Sequence, residues 1–221
     1  LTDGSITPKF LGTNGIAPIL HEGHSGQDTG YFLGSSSPFW DGTKVNLQNY
    51  MSTNSNFGGT NTIDVVFIQL GINDLKYNAD PQTPINNLKT LVGKILDPTF
   101  GYPSAKIIIS QTPYVCADRT GWVTAFAGGN DSNYENYIQT MVTYAGLIQT
   151  NFHENVTYPN VYVAPNFLYV DRYYGYPYVT HPSSSRTSGK TLTEFTDSVH
   201  PDTGGYYQAA DSYYSRMRSL I

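Results

Sequence analysis

A chain of 221 residues with 39% hydrophobic and 14% aromatic content is long enough for one domain with a sizeable core, which excludes a disordered polymer. Charged residues make up only 13%, the net charge is -5 and the pI is near 5.4, so no electrostatic ground exists for nucleic acid or an anionic membrane as partner. The polar surface is left to Asn, Thr, Ser, Gln, Gly and the 19 Tyr, a composition that suits contact with carbohydrate.

Residues 8–13, Pro-Lys-Phe-Leu-Gly-Thr, read as a short strand ending at a glycine turn. A loop follows from His21 to Gly30, and then a Ser-, Asn- and Gly-rich segment, 34–59, with Pro38-Phe39-Trp40 and Tyr50-Met51 as its anchors. Residues 63–70 form a nearly continuous apolar run, the pattern of a strand buried on both faces of a parallel sheet, and end at Gly71-Ile72-Asn73-Asp74. From Pro84 onward Ile85, Leu88, Leu91, Val92, Ile95 and Leu96 keep helical spacing.

Residues 106–110 are again β-branched and apolar, and Ser132 with Glu135 forms a capping box for a second helix. That helix has an apolar face of Tyr134, Tyr137, Ile138, Met141, Val142, Ala145 and Ile148. Residues 161–164 make a further strand. A Tyr-rich loop, 171–182, precedes a last helix from Thr203 that is expected to bury Tyr206, Ala210, Tyr213, Met217 and Leu220. Strands alternating with helices predict a single α/β domain over residues 1–221, with a mainly parallel sheet. In such sheets chemistry gathers beyond the carboxyl ends of the strands.

Two loops at such ends carry the residues that acyl transfer needs. In Asp197-Ser198-Val199-His200 a carboxylate three residues before a histidine can fold back onto the ring, fixing its tautomer and stabilising the imidazolium. Asn73, just past the strand-end glycine, can project an amide donor toward an oxyanion. Gly26, in a Ser-Gly turn, can offer its backbone N–H to the same oxygen.

With these residues in register the chain resembles the SGNH (GDSL-type) hydrolase superfamily of serine esterases. Gly71-Ile72-Asn73-Asp74 matches the family's third block, Asp197-Ser198-Val199-His200 its fifth, and His24-Ser25-Gly26 its second. The resemblance implies a three-layer α/β/α, flavodoxin-like fold and an ester hydrolase working through an acyl-enzyme. His200 is then base and acid, Asp197 orients it, Asn73 and Gly26 hold the oxyanion, and no cofactor is needed. O-acetyl groups on a carbohydrate or polysaccharide are the favoured substrate. His24, Asp74, Tyr174 and Tyr176 are the candidates for facing that substrate.

One block departs from the family. Its nucleophile sits in Gly-Asp-Ser between the first strand and first helix, whereas here only Asp3-Gly4-Ser5 occurs, with no apolar strand before it and no room for the helix after it. The expectation is that the first strand and its nucleophilic serine lie upstream of Leu1, in a missing N-terminal segment of the same polypeptide, possibly supplied as a separate chain. An extracellular or virion-associated module, such as an oligomeric tail fibre protein, fits that expectation. From another class comes the reading of a carbohydrate-binding or structural module that keeps the fold without the nucleophile.

Other features carry less. His21-Glu22-Gly23-His24 is one residue short of the H-E-x-x-H zinc string and lies in a glycine-rich loop, so no metal site is expected. Cys116 is the sole cysteine and excludes an intrachain disulfide. No apolar run reaches the length of a membrane span. Trp40 and Trp122 are further rings that can meet a sugar. Asn130-Asp131-Ser132 and Asn155-Val156-Thr157 fit the glycosylation pattern.

Overall fold

The computed structural model describes residues 8–59, 61–77, 80–125, 131–154, 156–182 and 189–220. Ser5, both sequon asparagines, Asn130 and Asn155, and the side chain of the capping Ser132 lie outside the described residues. Two compact units divide the chain, one of Leu1–Val65 with Asn86–Ala105, the other of Val66–Ile85 with Lys106–Ile221.

In the first unit the strand expected at 8–13 does not form. Strands β1 (Asn14–Ile16) and β2 (Ile19–His21) pair antiparallel instead, Asn14 opposite His21. Gly12 lies so close to the His21 backbone that any Cβ would collide with it, and the Thr13 N–H goes to Glu22 Oε1 at 2.6 Å rather than to a ladder. The Ser- and Asn-rich segment folds around helix α1 (Leu47–Thr53), whose first turn is capped by Asn46 Oδ1 accepting from the Asn49 N–H at 2.9 Å. Its anchors behave as expected: Tyr50 and Met51 are buried with Phe57 in a cluster flanked by Leu11, Phe39, Ile63 and Tyr102.

Helix α2 (Ile72–Tyr77) and helix α3 (Gln82–Ile95) follow the next strand. The five residues of α3 spaced for one face, Ile85, Leu88, Leu91, Val92 and Ile95, are all buried.

The second unit is built on a parallel three-stranded sheet in the order β3 (Val65–Ile68), β4 (Lys106–Ser110), β5 (Val161–Ala164). Ile107 pairs with Val161 and Ile109 with Val163. Ile107, Ile108 and Ile109 are all buried, as a central strand covered on both faces requires. The continuous apolar run predicts the same cover for β3, but among the described residues it is an edge strand, with Val65 and Val66 half-buried and Phe67 42% exposed.

Helices α4 (Arg119–Ala125) and α5 (Asp131–Asn151) connect β4 to β5. Along α5 the expected face is buried except for Val142, which is exposed, and Tyr144 lies inside in its stead. After β5 come helix α6 (Asn166–Tyr169), an antiparallel hairpin of β6 (Tyr178–Pro182) and β7 (Thr191–Phe195), and helix α7 (Thr203–Arg218).

The face of α7 is rotated by one residue from the expected one. Gly205, Ala209 and Ser212 are buried, whereas Tyr206 and Ala210 face solvent and Tyr213 and Met217 are half-buried. Close packing explains the rotation: a Cβ on Gly205 would strike the carbonyl of Gly175, so only a stripe of small residues lets the helix approach.

Candidate active site

The turn that follows β3 is held by hydroxyls. The Leu70 carbonyl accepts from Tyr144 Oη at 3.0 Å and from Thr112 Oγ1 at 3.2 Å, and the Ile72 carbonyl accepts from Tyr137 Oη at 3.2 Å. Gly71 sits at φ +118, and a side chain there would run into the Tyr144 ring, so glycine is required both by backbone and by space. This clamp delivers Asn73 and Asp74 half-buried on the first turn of α2, directly beyond the end of the strand.

Asp197 and His200 meet as the sequence predicts. His200 Nδ1 lies 2.7 Å from Asp197 Oδ2, and Asp197 Oδ1 accepts the backbone N–H of Val199 at 2.8 Å and of His200 at 3.0 Å. Burial pulls the Asp197 carboxyl upward, but the N–H donors of His200 and Val199 together with the ring outweigh it and hold the acid below its ordinary value. A carboxylate fixed on Nδ1 leaves Nε2 as the basic nitrogen, on a ring whose side chain is 71% exposed. Among the described residues His200 is hydrogen-bonded to Asp197 alone.

The floor under this pair is a loop, 114–117, gripped from several directions. The Cys116 N–H donates to the Ser198 carbonyl at 2.9 Å, tying the loop to the Asp197–His200 turn itself. Tyr134 Oη donates to the Cys116 carbonyl at 2.7 Å, Arg172 Nε to the Val115 carbonyl at 3.0 Å, and Tyr176 Oη to the Tyr114 carbonyl. Tyr176, a candidate for facing substrate, is fully buried and its hydroxyl serves this floor, so it is a packing residue. Trp122 is likewise buried, against Tyr134 and Tyr137.

Tyr174 is different. It is 77% exposed, on a turn where Asp171 Oδ1 accepts the N–H of both Tyr173 and Tyr174. The Gly175 carbonyl then accepts the Asp202 N–H at 2.9 Å, fastening this turn to the segment just after His200. Tyr206 and Tyr207 are exposed on the first turns of α7, and Tyr206 lies near enough to Asp197 to feel its charge. Spacing had assigned Tyr206 to the core. Its exposure is not readable from spacing, because a tyrosine counts as apolar in any periodicity.

Gly26 and His24 belong to the first unit. Gly26 has φ +74, which favours glycine, in a turn where the Gln27 N–H donates to the His24 carbonyl. His24 Nε2 lies 2.9 Å from Glu22 Oε2, while Glu22 Oε1 accepts from the Tyr50 hydroxyl and the Thr13 N–H. Trp40, in the same unit, is half-buried. Among the described residues no group of three or more His, Cys, Asp or Glu is arranged to hold a metal ion, and no helix is long and apolar enough to cross a membrane.

A parallel sheet with helical crossovers, a Gly-x-Asn-Asp turn after one strand and an Asp-x-x-His turn before the last helix together define an SGNH hydrolase-like fold, and this chain has it. No family model and no curated protein sequence matches the chain. Among solved structures it is similar to Est24, a carbohydrate acetylesterase from Sinorhizobium meliloti. The two share 18% identity over 92% of this chain and 79% of that one, with a TM-score of 0.50. It is also similar to an aryl esterase of M. smegmatis, at 18% identity over 92% of this chain and 79% of that one, with a TM-score of 0.49. At such identity the likeness is one of fold.

Proposed function

We propose that the protein is a serine esterase that removes O-acetyl groups from a carbohydrate through an acyl-enzyme. The observation that carries this reading is the Asp197–His200 pair, with its 2.7 Å contact and its second carboxylate oxygen locked by two backbone N–H groups. The serine Oγ attacks the acyl carbon and its proton passes to His200 Nε2. The tetrahedral oxyanion is held by a donor from Asn73 and by the nucleophile's own N–H, and the sugar oxygen departs with the proton from His200. Water then attacks the acyl-enzyme, giving up one proton to His200, which passes it to the departing serine Oγ as the carboxylic acid is released.

The nucleophile in this proposal is a serine on a strand that adds to the open edge of β3. The half-buried Val65 and Val66 and the exposed Phe67 on an edge strand support that addition, since such an edge is a template for pairing. Cys116 is not a rival. It is buried, burial pushes its thiol up to about 11, and its Sγ lies 3.2 Å from the Asp118 carbonyl. The exposed rings of Tyr174, Tyr206 and Tyr207, in the same unit as the dyad, support a sugar rather than a lipid as the alcohol part. The test is hydrolysis of p-nitrophenyl acetate and of acetylated xylan by the full polypeptide and its His200→Ala variant. Turnover that the substitution abolishes is expected, and equal rates would overturn the mechanism.

A further inference from the structure

The first unit holds a cleft of about 630 Å³ that plays no part in the ester chemistry above. Among its lining residues are Asn49 and Asn61, which carry amides, Ser52 and Thr99, which carry hydroxyls, and Phe100 and Tyr102, which carry rings; the Ser52 hydroxyl donates to the Asn49 carbonyl at 3.0 Å and so offers only its accepting side. Asn49, Ser52, Asn61 and Thr99 are exposed, whereas both rings are half-buried. Asn46 and Gln48 complete the wall but are committed to the protein. Asn46 caps α1 and donates to Asp41 Oδ2 at 2.9 Å, and Gln48 Nε2 donates to the Gly101 carbonyl at 3.0 Å.

The wall that carries Thr99, Phe100 and Tyr102 is held in shape before any ligand arrives. Asp97 Oδ1 accepts the N–H of Thr99 at 2.8 Å and of Phe100 at 2.9 Å, which with these donors first among the causes keeps its carboxyl below the ordinary value. The Gln48 N–H donates to the Phe100 carbonyl at 3.1 Å, tying the turn to α1. Gly101 lies against the carbonyls of Lys94 and Ile95 where a Cβ would not fit. Lys44 Nζ stands 3.7 Å from the centre of the Phe100 ring. A preformed wall lowers the ordering cost of binding.

The chemistry of the lining selects its ligand class. Among the described residues no charged side chain lines the cleft, so phosphates, nucleotides and acidic sugars find no counter-charge there, Lys44 being engaged on the Phe100 ring. Only two of the lining side chains are apolar in body, too few for a lipid chain. Amides and hydroxyls that both donate and accept match the alternating hydroxyls of a sugar, and aromatic rings match its C–H faces. The volume falls in the range of small-ligand sites.

We propose that this cleft is a binding site for an uncharged saccharide chain. The inference does not rest on the esterase reading, because none of the residues of that reading lines the cleft.

The test is a titration of the isotope-labelled full chain with cellotetraose, xylotetraose and maltotetraose, with tetragalacturonate as the acidic comparison. The readouts are the side-chain amide signals of Asn49 and Asn61 and the ring signals of Phe100 and Tyr102. At least one neutral tetrasaccharide is expected to shift these signals, and tetragalacturonate to bind about tenfold more weakly or not at all. Asn61→Ala and Phe100→Ala should each weaken binding about tenfold. Asn61 is exposed, so its variant keeps the backbone fingerprint of the folded chain and remains informative if Phe100→Ala unfolds.

Asn61→Ala should leave p-nitrophenyl acetate hydrolysis unchanged, and His200→Ala should leave saccharide binding unchanged. The proposal is overturned if no neutral tetrasaccharide shifts the cleft signals at about 10 mM, if the acidic one binds equally well, or if Asn61→Ala has no effect on binding. Saccharide binding without any esterase turnover would overturn the ester reading and leave this one standing.

Discussion

Three histidine–carboxylate pairs occur among the described residues, and beside the exposed His181–Glu194 pair of the hairpin two of them, one in each unit, are built to opposite ends. In the second unit Asp197 takes Nδ1 of His200, and its other oxygen is spent on two backbone N–H groups of the same turn. The ring is thereby aimed by its own loop, and its basic nitrogen is left on an exposed edge. In the first unit Glu22 takes Nε2 of His24, and its other oxygen gathers the Tyr50 hydroxyl and the Thr13 N–H from separate elements. That histidine is packed beside Tyr31 and Phe32, with 23% of its side chain exposed. On the proposed mechanism the same two functional groups serve a reaction in one place, while in the other they tie the segments flanking β1 and β2 to α1. What separates them is which ring nitrogen is bound and whether the carboxylate's remaining partners are local or distant.

Substitution at the two histidines should separate these roles most widely. His200→Ala is expected to lower kcat/KM on p-nitrophenyl acetate by about ten-thousandfold, whereas His24→Ala should lower it by less than about tenfold, through KM. Equal losses from the two would erase the distinction. Next in size is Asn73→Ala, in the unit of the dyad, with a loss of about a hundred- to a thousandfold in kcat and little change in KM. A change confined to KM would remove Asn73 from the oxyanion site.

The carboxylates should reverse the order. Glu22→Gln is expected to cost about 1–3 kcal/mol of stability in urea unfolding, because charge-assisted bonds from Tyr50 and Thr13 are weakened in a partly buried place. Asp197→Asn should cost less than about 1 kcal/mol there and act on rate instead. The smallest effect is on pH dependence. Both carboxyls are held below their ordinary values of 4.5 and 3.8, so each contributes stability that is full above its unfolded value and is lost as pH falls through its folded one. Urea midpoints should therefore drop on acidification below about pH 4, and each variant should flatten that drop. A midpoint in the wild-type chain that rises on acidification would contradict the assignment.

Much of the second unit was legible because its signals are local. A run such as Ile107-Ile108-Ile109 admits few structures other than a covered strand, and Asp197 reaches His200 within one turn. The hairpin of β6 and β7 was missed because its pairing, Tyr178 with Phe195, spans a long connection and its residues are mostly exposed. The face of α7 was misread because periodicity counts tyrosine as core, while here small residues go inside and the rings stay at the rim. Nor does any pattern announce that Tyr144 and Tyr137 spend their hydroxyls on the carbonyls of Leu70 and Ile72. That clamp is a property of packing between α5 and the turn after β3.

The central claim is that the Asp197–His200 turn activates a serine for attack on an ester. Its most direct test is covalent labelling of the full polypeptide with a fluorophosphonate, followed by intact mass and peptide mapping. The account predicts one phosphonylated serine, on a strand outside the described residues, and loss of the label in His200→Ala. Labelling that proceeds equally without His200 would contradict it.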